Sequence, residues 1–296
     1  MKRILVTGGE GQVGQALQQC EASPEFELLL PKRDIFDLAN LPSMAAYFDQ
    51  YLIDAVINLA AYTAVDKAED DADNAFRINK DAVSTLAQTT ARLYIPLVHI
   101  STDYVFSGEL DRAYREDDPT EPLGIYGLSK EAGEQAVRLY NPNHVIIRTS
   151  WVVSAFRQNF VKTMLRLASD RPTISVVDDQ IGAPTSARDL ALAILRVTKE
   201  LVNGNPSARG TFHFSNFGEA SWADVAEEVM RLSVARKGPN ALIQRIATTD
   251  YPTRAKRPKN SCFNTLKFES IFGYRPRPWQ NAIEDIVAEL VQGVKP

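Results

Sequence analysis

The strongest indication of the fold lies near the N-terminus, in Ile4-Leu5-Val6-Thr7-Gly8-Gly9-Glu10-Gly11-Gln12-Val13-Gly14. Its apolar start predicts a short strand, and its glycines come just before a helical pattern. One glycine permits a tight turn, another lets backbone N–H groups approach a pyrophosphate, and the third lets helix and strand pack closely. The free N–H groups and the dipole of a helix N-terminus also favour an anion. The residues predicted to bind the dinucleotide here are Gly8, Gly11, Gln12, Val13 and Gly14.

The first half of the chain repeats this alternation of strand and helix. Apolar runs at 26–30, 55–58, 97–100 and 145–148 are separated by helical patterns at 12–20, 43–51, 66–93 and 129–139. Apolar strands separated by helices of this length indicate a parallel sheet that is covered on both faces. Because such crossovers are right-handed, we expect an α/β protein with a Rossmann-type doubly wound parallel sheet.

The pattern loosens after residue 148. Helical spacing returns at 159–169, 187–201 and 280–291, glycine and proline become more frequent, and 251–258 has the composition of a loop. We expect residues 1–150 to form the NAD(P)-binding domain. Residues 151–296 are expected to form mostly a smaller, less regular C-terminal substrate domain, with part of 180–202 returning to the sheet domain.

Composition excludes several classes of protein. A net charge of −4 over 296 residues disfavours nucleic-acid binding as the main activity. No apolar run is long enough to cross a membrane. With only three histidines, His-centred hydrolysis and His-ligated zinc are disfavoured. The two cysteines, Cys20 and Cys262, lie far apart and indicate free thiols in the cytoplasm.

Charged residues follow the second predicted strand, where the ribose of a dinucleotide is usually recognised. Lys32 and Arg33 suit a 2′-phosphate, whereas Asp34 suits a bare ribose diol. We therefore expect NADPH as the cofactor, with NADH as the alternative. Arg33 is the predicted phosphate contact, and Asp37 and Leu38 are expected near the adenine.

Tyr126 and Lys130 are one helical turn apart, so that both side chains can face the same site. A nearby positive charge lowers the pKa of a phenol, which suits Tyr126 for donating a proton to a carbonyl. The strand at 97–100 continues into Ser101 and Thr102, at the edge of the sheet where α/β proteins bind ligands. Either hydroxyl could bond the substrate oxygen beside Tyr126.

These motifs resemble the extended short-chain dehydrogenase/reductase family. The resemblance rests on the glycine loop, on the pair Tyr126 and Lys130, and on further segments. Those segments are 58–69, 101–106, 148–151, 159–160, 179–185 and 257–261. The resemblance spans the chain from Ile4 to about Trp279. It implies reduction of the C4 keto group of dTDP-4-dehydro-6-deoxy-L-mannose by NAD(P)H, giving dTDP-L-rhamnose.

The resemblance also implies roles for single residues. Tyr126 would donate the proton, Lys130 would tune it and hold the nicotinamide ribose, and Thr102 would bind the reacting oxygen. The residues implied to line the cofactor are Ala60, Ala61 and Tyr62. Those implied to surround the sugar are Val65, Asp103, Tyr104 and Trp151. A nucleotide sugar also needs partners for its diphosphate, and the candidates are Asn159, at a predicted helix N-terminus, Arg254 and Arg257.

Some members of the family hold magnesium between carboxylates at a dimer interface. The corresponding positions here are Ala16 and Arg188, so we expect no metal there. The expected partner is the nucleotide sugar, and we expect binding to neither nucleic acid nor a membrane. The sequence leaves open whether the protein forms a homodimer. One alternative is a non-catalytic binding module related to the regulatory subunit of methionine adenosyltransferase. Another is a different nucleotide-sugar epimerase or reductase; dehydration is disfavoured because Tyr104, not Glu, follows Asp103.

Overall fold

The computed structural model describes residues 1–20 and 25–292. The strands are β1 (Lys2–Thr7), β2 (Phe26–Leu29), β3 (Ala55–Asn58), β4 (Leu97–Thr102), β5 (His144–Thr149), β6 (Val152–Val153), β7 (Thr173–Val177), β8 (Ile181–Gly182), β9 (Thr185–Ser186), β10 (Gly210–His213), β11 (Ala220–Ser221) and β12 (Leu242–Ile246). The helices are α1 (Gln12–Gln19), α2 (Leu41–Gln50), α3 (Val65–Ala68), α4 (Ala72–Phe76), α5 (Ala82–Arg92), α6 (Ile125–Tyr140), α7 (Phe160–Asp170), α8 (Ala187–Val202), α9 (Trp222–Ala235), α10 (Leu266–Phe272) and α11 (Trp279–Gln292).

A six-stranded sheet in the order β10-β5-β4-β3-β1-β2 forms the centre of the molecule. Every neighbouring pair in it is parallel. The strand order reverses direction at β1, so the helices that connect the strands cover both faces. The prediction of an α/β Rossmann-type parallel sheet is confirmed.

Alternating side chains of β1 show how the two faces are covered. Ile4 and Val6 lie in one core cluster with Leu17 of α1 and with buried residues of α8. Leu5 lies in the other, with Leu86 of α5 and with residues of α2 and α6. Because successive side chains of a strand point to opposite faces, a continuous apolar run is what a doubly covered sheet requires.

A third cluster holds the C-terminal part together. Helices α7, α9 and α11 pack around it, beside the parallel pair β7 and β12. Helix α8, which follows residue 186, packs instead against α1 on the central sheet. The chain then returns once more to the sheet, where β10 pairs with β5. The sequence pattern did not predict β10.

The predicted helix at 66–93 is interrupted, which corrects the sequence interpretation. The chain leaves the helix after Ala68, resumes as α4, and passes through a π-helical turn at Arg77–Asp81 before α5. Asp71, at the interruption, accepts hydrogen bonds from Tyr62 and Asn74. The π-turn points the buried side chain of Asn79 at the backbone of Tyr62, with bonds of 2.8 and 3.0 Å. Ala and polar residues are compatible with a straight helix, so local propensity alone does not reveal this break.

Candidate active site

The glycine loop lines a cavity of about 920 Å³ at the carboxyl edge of the sheet. Gly8 has a φ of +71°, and a Cβ there would lie 2.8 Å from the backbone nitrogen of Ala60. At Gly14 a Cβ would lie 2.5 Å from Gly9, so the first turn of α1 can approach the loop only without a side chain. Gly11 caps α1 with no side-chain bond. The first N–H groups of α1 are thus available to an anion, which suits the pyrophosphate of a dinucleotide.

This cavity is also lined by residues that follow β2. Arg33, Asp37 and Leu38 all contribute to its wall. Arg33 Nε lies 3.4 Å from a carboxyl oxygen of Asp37, and its side chain is largely exposed. A free guanidinium face at this position suits a 2′-phosphate.

The cavity also contains the predicted catalytic residues. Thr102 is the last residue of β4, and Tyr126 and Lys130 lie on α6. All three line the same cavity as the glycine loop. Helix α6 begins at Ile125, earlier than the helical pattern at 129–139, and its first N–H group is capped by the carboxylate of Glu69 at 2.9 Å. This cap fixes the turn that carries Tyr126.

Lys130 is buried and is anchored to the sheet. Its Nζ donates to the carbonyl of Ile100 at 2.6 Å and lies 3.5 Å from Nε2 of His99. His99 contacts Asn58, which in turn accepts a 2.6 Å hydrogen bond from Thr7. A buried polar chain thus connects the ammonium with β1 beside the glycine loop.

Burial dominates the acid–base properties of the site. It raises the pKa of Tyr126 to about 12, against which a hydrogen bond with Thr102 acts. It lowers the pKa of Lys130 to about 8, with Glu134 acting in the opposite direction. The sequence interpretation expected Lys130 to lower the phenol pKa; in the structure the raised pKa keeps Tyr126 protonated at neutral pH. A protonated phenol is the form that donates to a carbonyl.

A second cavity of about 650 Å³ adjoins the first. Asp103, Tyr104 and Trp151 line both cavities. The ring of Tyr104 meets that of Tyr126 edge-on, with centroids 5.4 Å apart. Trp151 stacks on Trp222 of α9, with centroids 3.7 Å apart. A ligand in the second cavity would therefore lie against the wall that the two cavities share, next to Tyr126.

Of the remaining predicted residues, some line the first cavity and others bond to protein groups outside it. Val65, predicted beside the sugar, lines the first cavity. Ala60 and Ala61 line the first cavity too, whereas the hydroxyl of Tyr62 bonds Asp71 outside it. Asn159 caps α7, and its amide donates to Gln12 at 3.0 Å, behind the glycine loop.

The two predicted diphosphate arginines are each paired with a carboxylate. Arg257 lines the second cavity and bonds both carboxyl oxygens of Asp66, at 2.7 and 3.2 Å. Arg254 forms an ion pair with Asp70. The pairs connect the 251–258 segment with the loop and short helix that follow β3. Their guanidinium groups remain candidates for an anion because a planar fork can bridge two acidic partners.

Sequence reasoning missed some residues of the second cavity, notably Trp222 and Arg171. Trp222 begins α9, which the sequence pattern did not predict, and Arg171 follows the end of α7, so only the fold brings both to the cavity that Trp151 lines. Ala16 is buried and Arg188 exposed. Within residues 1–20 and 25–292, no three His, Cys, Asp or Glu side chains cluster as metal ligands would. No helix in the same ranges could span a membrane.

A dinucleotide-sized cavity that is lined by a glycine loop and by a Thr, Tyr and Lys constellation defines an extended short-chain dehydrogenase/reductase. Comparison with known proteins narrows this class. The family model described as RmlD substrate binding domain matches residues 1–292. A dTDP-4-dehydrorhamnose reductase of Sinorhizobium fredii is 43% identical over 98% of this chain and 99% of its own.

Solved structures point the same way. The crystal structure of a dTDP-4-dehydrorhamnose reductase from Clostridium acetobutylicum has a TM-score of 0.91 at 35% identity, covering 98% of this chain and 99% of that one. One from Bacillus anthracis, in complex with NADP, has a TM-score of 0.89 at 34% identity and covers 98% and 100%. The chain therefore belongs to the dTDP-4-dehydrorhamnose reductase family of oxidoreductases. The resemblance read from the motifs is confirmed.

Proposed function

We propose that this protein reduces the C4 keto group of dTDP-4-dehydro-6-deoxy-L-mannose with NADPH, giving dTDP-L-rhamnose. The observation that carries the proposal is that the two cavities share a wall formed by Asp103, Tyr104 and Trp151, and that the ring of Tyr104 contacts the ring of Tyr126. One cavity has the loop and the helix end that suit a dinucleotide, and the other is large enough for a nucleotide sugar. A carbonyl at their junction would lie between the hydride donor and the phenol.

NADPH is the preferred cofactor, with NADH as the alternative. The backbone of Gly8, Gly11, Gln12, Val13 and Gly14 would hold the pyrophosphate, and Arg33 would bond the 2′-phosphate. A Cβ at Gly8 or Gly14 would fill the space that the loop needs, which supports this assignment. The bound dihydronicotinamide supplies the hydride.

The protein's own residues provide the proton and the orientation. Tyr126 would donate its proton to the C4 oxygen as negative charge develops there. Lys130, anchored on Ile100 and His99, would present its remaining N–H to the nicotinamide ribose. Its charge also stabilises the phenolate that remains after proton transfer. Thr102 would hold the reacting oxygen from the other side.

We propose that the two parts of the chain divide these tasks. Residues 1–150, joined by α8 and β10, would bind the dinucleotide, and the remaining C-terminal residues would bind the nucleotide sugar. The proposed sugar contacts are Val65, Asp103, Tyr104 and Trp151, and the proposed diphosphate contact is Arg257. Asn159, the other predicted diphosphate contact, bonds Gln12 and the carbonyls of Ser154 and Phe156 instead. We expect the enzyme to act in the cytoplasm.

The test is loss of NADPH absorbance at 340 nm after addition of the 4-keto sugar nucleotide to the purified full chain. Tyr126→Phe should keep NADPH binding and lose about 10²- to 10⁴-fold in kcat, the usual contribution of a general acid. Tyr140→Phe, on the same helix but exposed, is the matched control and should leave kcat unchanged. Near-native turnover by Tyr126→Phe would overturn the assignment of the proton donor. A folded wild-type protein that binds NADPH without turnover would instead favour the non-catalytic binding module.

A further inference from the structure

The hydroxyl of Thr102 has only one proton, and in this structure that proton is committed. Its Oγ1 donates to Oδ1 of Asp103 at 3.0 Å and accepts the backbone N–H of Tyr104 at 3.2 Å. A hydroxyl has one O–H and two lone pairs, so the second lone pair is what remains for the hydrogen bond between Thr102 and the phenol of Tyr126. While the carboxyl group of Asp103 is ionised, Thr102 can therefore offer only an acceptor to the reacting centre.

Asp103 is itself held by a residue far away in the sequence. Its Oδ2 accepts a 2.6 Å hydrogen bond from the hydroxyl of Ser261. Both side chains are almost fully buried, each 3% exposed. The backbone N–H of Ser261 donates to the carbonyl of Ile181 at 2.7 Å, which fixes this segment against β8. Each carboxyl oxygen of Asp103 thus accepts a hydrogen bond from a hydroxyl group of the protein.

Reduction of a ketone builds negative charge on its oxygen, and pre-positioned hydrogen-bond donors stabilise that charge. Thr102 cannot supply one while it donates to a carboxylate. A neutral carboxyl group at Asp103 would donate to Thr102 and release the threonine O–H toward the substrate. The heavy-atom positions serve either direction of this hydrogen bond.

We propose that Asp103, held by Ser261, is a positioning residue that sets the direction of the Thr102 hydrogen bond, and that its neutral form makes Thr102 a second donor to the reacting carbonyl. This inference rests on the proposed reduction. The proton that enters the product still comes from Tyr126. Asp103 and Thr102 redirect their own protons, and none is consumed.

The surroundings of Asp103 allow the neutral form near working pH. Burial raises the pKa of Asp103 to about 6, opposed by the hydroxyl groups of Ser261 and Thr102. Tyr126 faces it from α6 and Tyr104 from its own segment, and both phenols are neutral at this pH. Beyond Tyr104 lies the ion pair formed by Arg257 and Asp66, whose charges oppose each other.

The experiment measures kcat against pH from 5 to 9 with saturating NADPH and the 4-keto sugar nucleotide. We expect kcat of the wild type to fall tenfold per pH unit above an apparent pKa set by Asp103. In Asp103→Asn the amide can donate permanently to Thr102, so this fall in kcat should disappear. Only the fall that follows loss of the Lys130 proton, whose pKa is about 8, should remain. In Ser261→Ala the carboxylate of Asp103 loses a hydrogen-bond donor, so its pKa rises. The pH at which kcat begins to fall should therefore increase by about one unit.

Ser270→Ala removes an exposed hydroxyl of α10 and is the matched control, with an unchanged profile expected. NADPH affinity and thermal unfolding are measured for every variant. If Asp103 and Ser261 had only a structural role, the substitutions would lower stability without changing the pH at which kcat falls. An Asp103→Asn variant that is folded and binds NADPH but is inactive at every pH would overturn the inference. So would a Ser261→Ala profile identical to that of the wild type, or a flat profile in the wild type. If the wild type oxidises no NADPH at any pH, the proposed function itself fails.

Discussion

Gly8→Ala separates two ways in which a side chain can harm the dinucleotide loop. Gly8 has a φ of +71°, and a Cβ there would meet the backbone of Ala60 at 2.8 Å. Gly204 has a φ of +78°, but no heavy atom lies within 4 Å of its Cβ position. Both substitutions share the left-handed strain of about 1–2 kcal/mol. Only Gly8→Ala adds the overlap with a neighbouring backbone, which typically costs about 1–3 kcal/mol.

The difference in free energy between the two variants is therefore the cost of the steric overlap. If this overlap of about 1–3 kcal/mol weakens cofactor binding, the Kd for NADPH should rise by roughly 5- to 140-fold in Gly8→Ala, since 1.4 kcal/mol corresponds to a factor of ten. Gly204→Ala should leave that Kd unchanged. The measurements are NADPH titration by fluorescence and thermal unfolding, because the overlap can also relax by moving Ala60 at the cost of stability. A Gly8→Ala variant that matches Gly204→Ala in both would refute the reasoning.

Three further predictions concern the cofactor, the sugar and the pH stability. Arg33→Ala should weaken NADPH about tenfold, the usual loss for one charge-assisted hydrogen bond, and should leave NADH affinity unchanged; equal losses for both cofactors would argue against a 2′-phosphate contact. Trp222→Ala removes the stacking partner of Trp151, so KM for the nucleotide sugar should rise about tenfold while the Kd for NADPH stays constant in equilibrium titration. Burial lowers the pKa of His213 to about 3. The unfolded chain therefore binds a proton below pH 6.5 that the folded chain refuses, and stability present above pH 6.5 should fall by about 2 kcal/mol at pH 5. Denaturant unfolding at pH 7 and 5 measures this loss, and a His213→Gln variant with undiminished pH dependence would contradict it.

The central sheet and one end of the active site were predictable from local sequence. The apolar runs that became β1, β3, β4 and β5 are buried on both faces, and a strand in that position has no polar face to mask its pattern. Tyr126 and Lys130 were predictable because helical spacing is a property of the backbone alone. Gly8 and Gly14 were predictable because a Cβ at either position would lie within 2.8 Å of neighbouring backbone.

The C-terminal part was predicted less completely, for a physical reason. Its short strands, such as β6, β8 and β9, are two residues long and are stabilised by partners far away in the chain. Strand β10 ends in His213, whose ring is buried among Phe106 and Phe263, so its polarity hides a core position. The broken helix at 66–93 depends on Asn79 reaching the backbone of Tyr62, a contact that spacing along the chain does not reveal.

The parallel sheet, the dinucleotide loop and the spacing of Tyr126 and Lys130 could be predicted from the sequence, because each follows from short-range backbone geometry. The pKa values of the pair depend on the folded structure. Burial is the largest influence on the pKa of Tyr126, and Ser261 reaches Asp103 from the other end of the chain. Desolvation and hydrogen-bond partners of distant sequence arise only when the chain has folded, so no local pattern carries them.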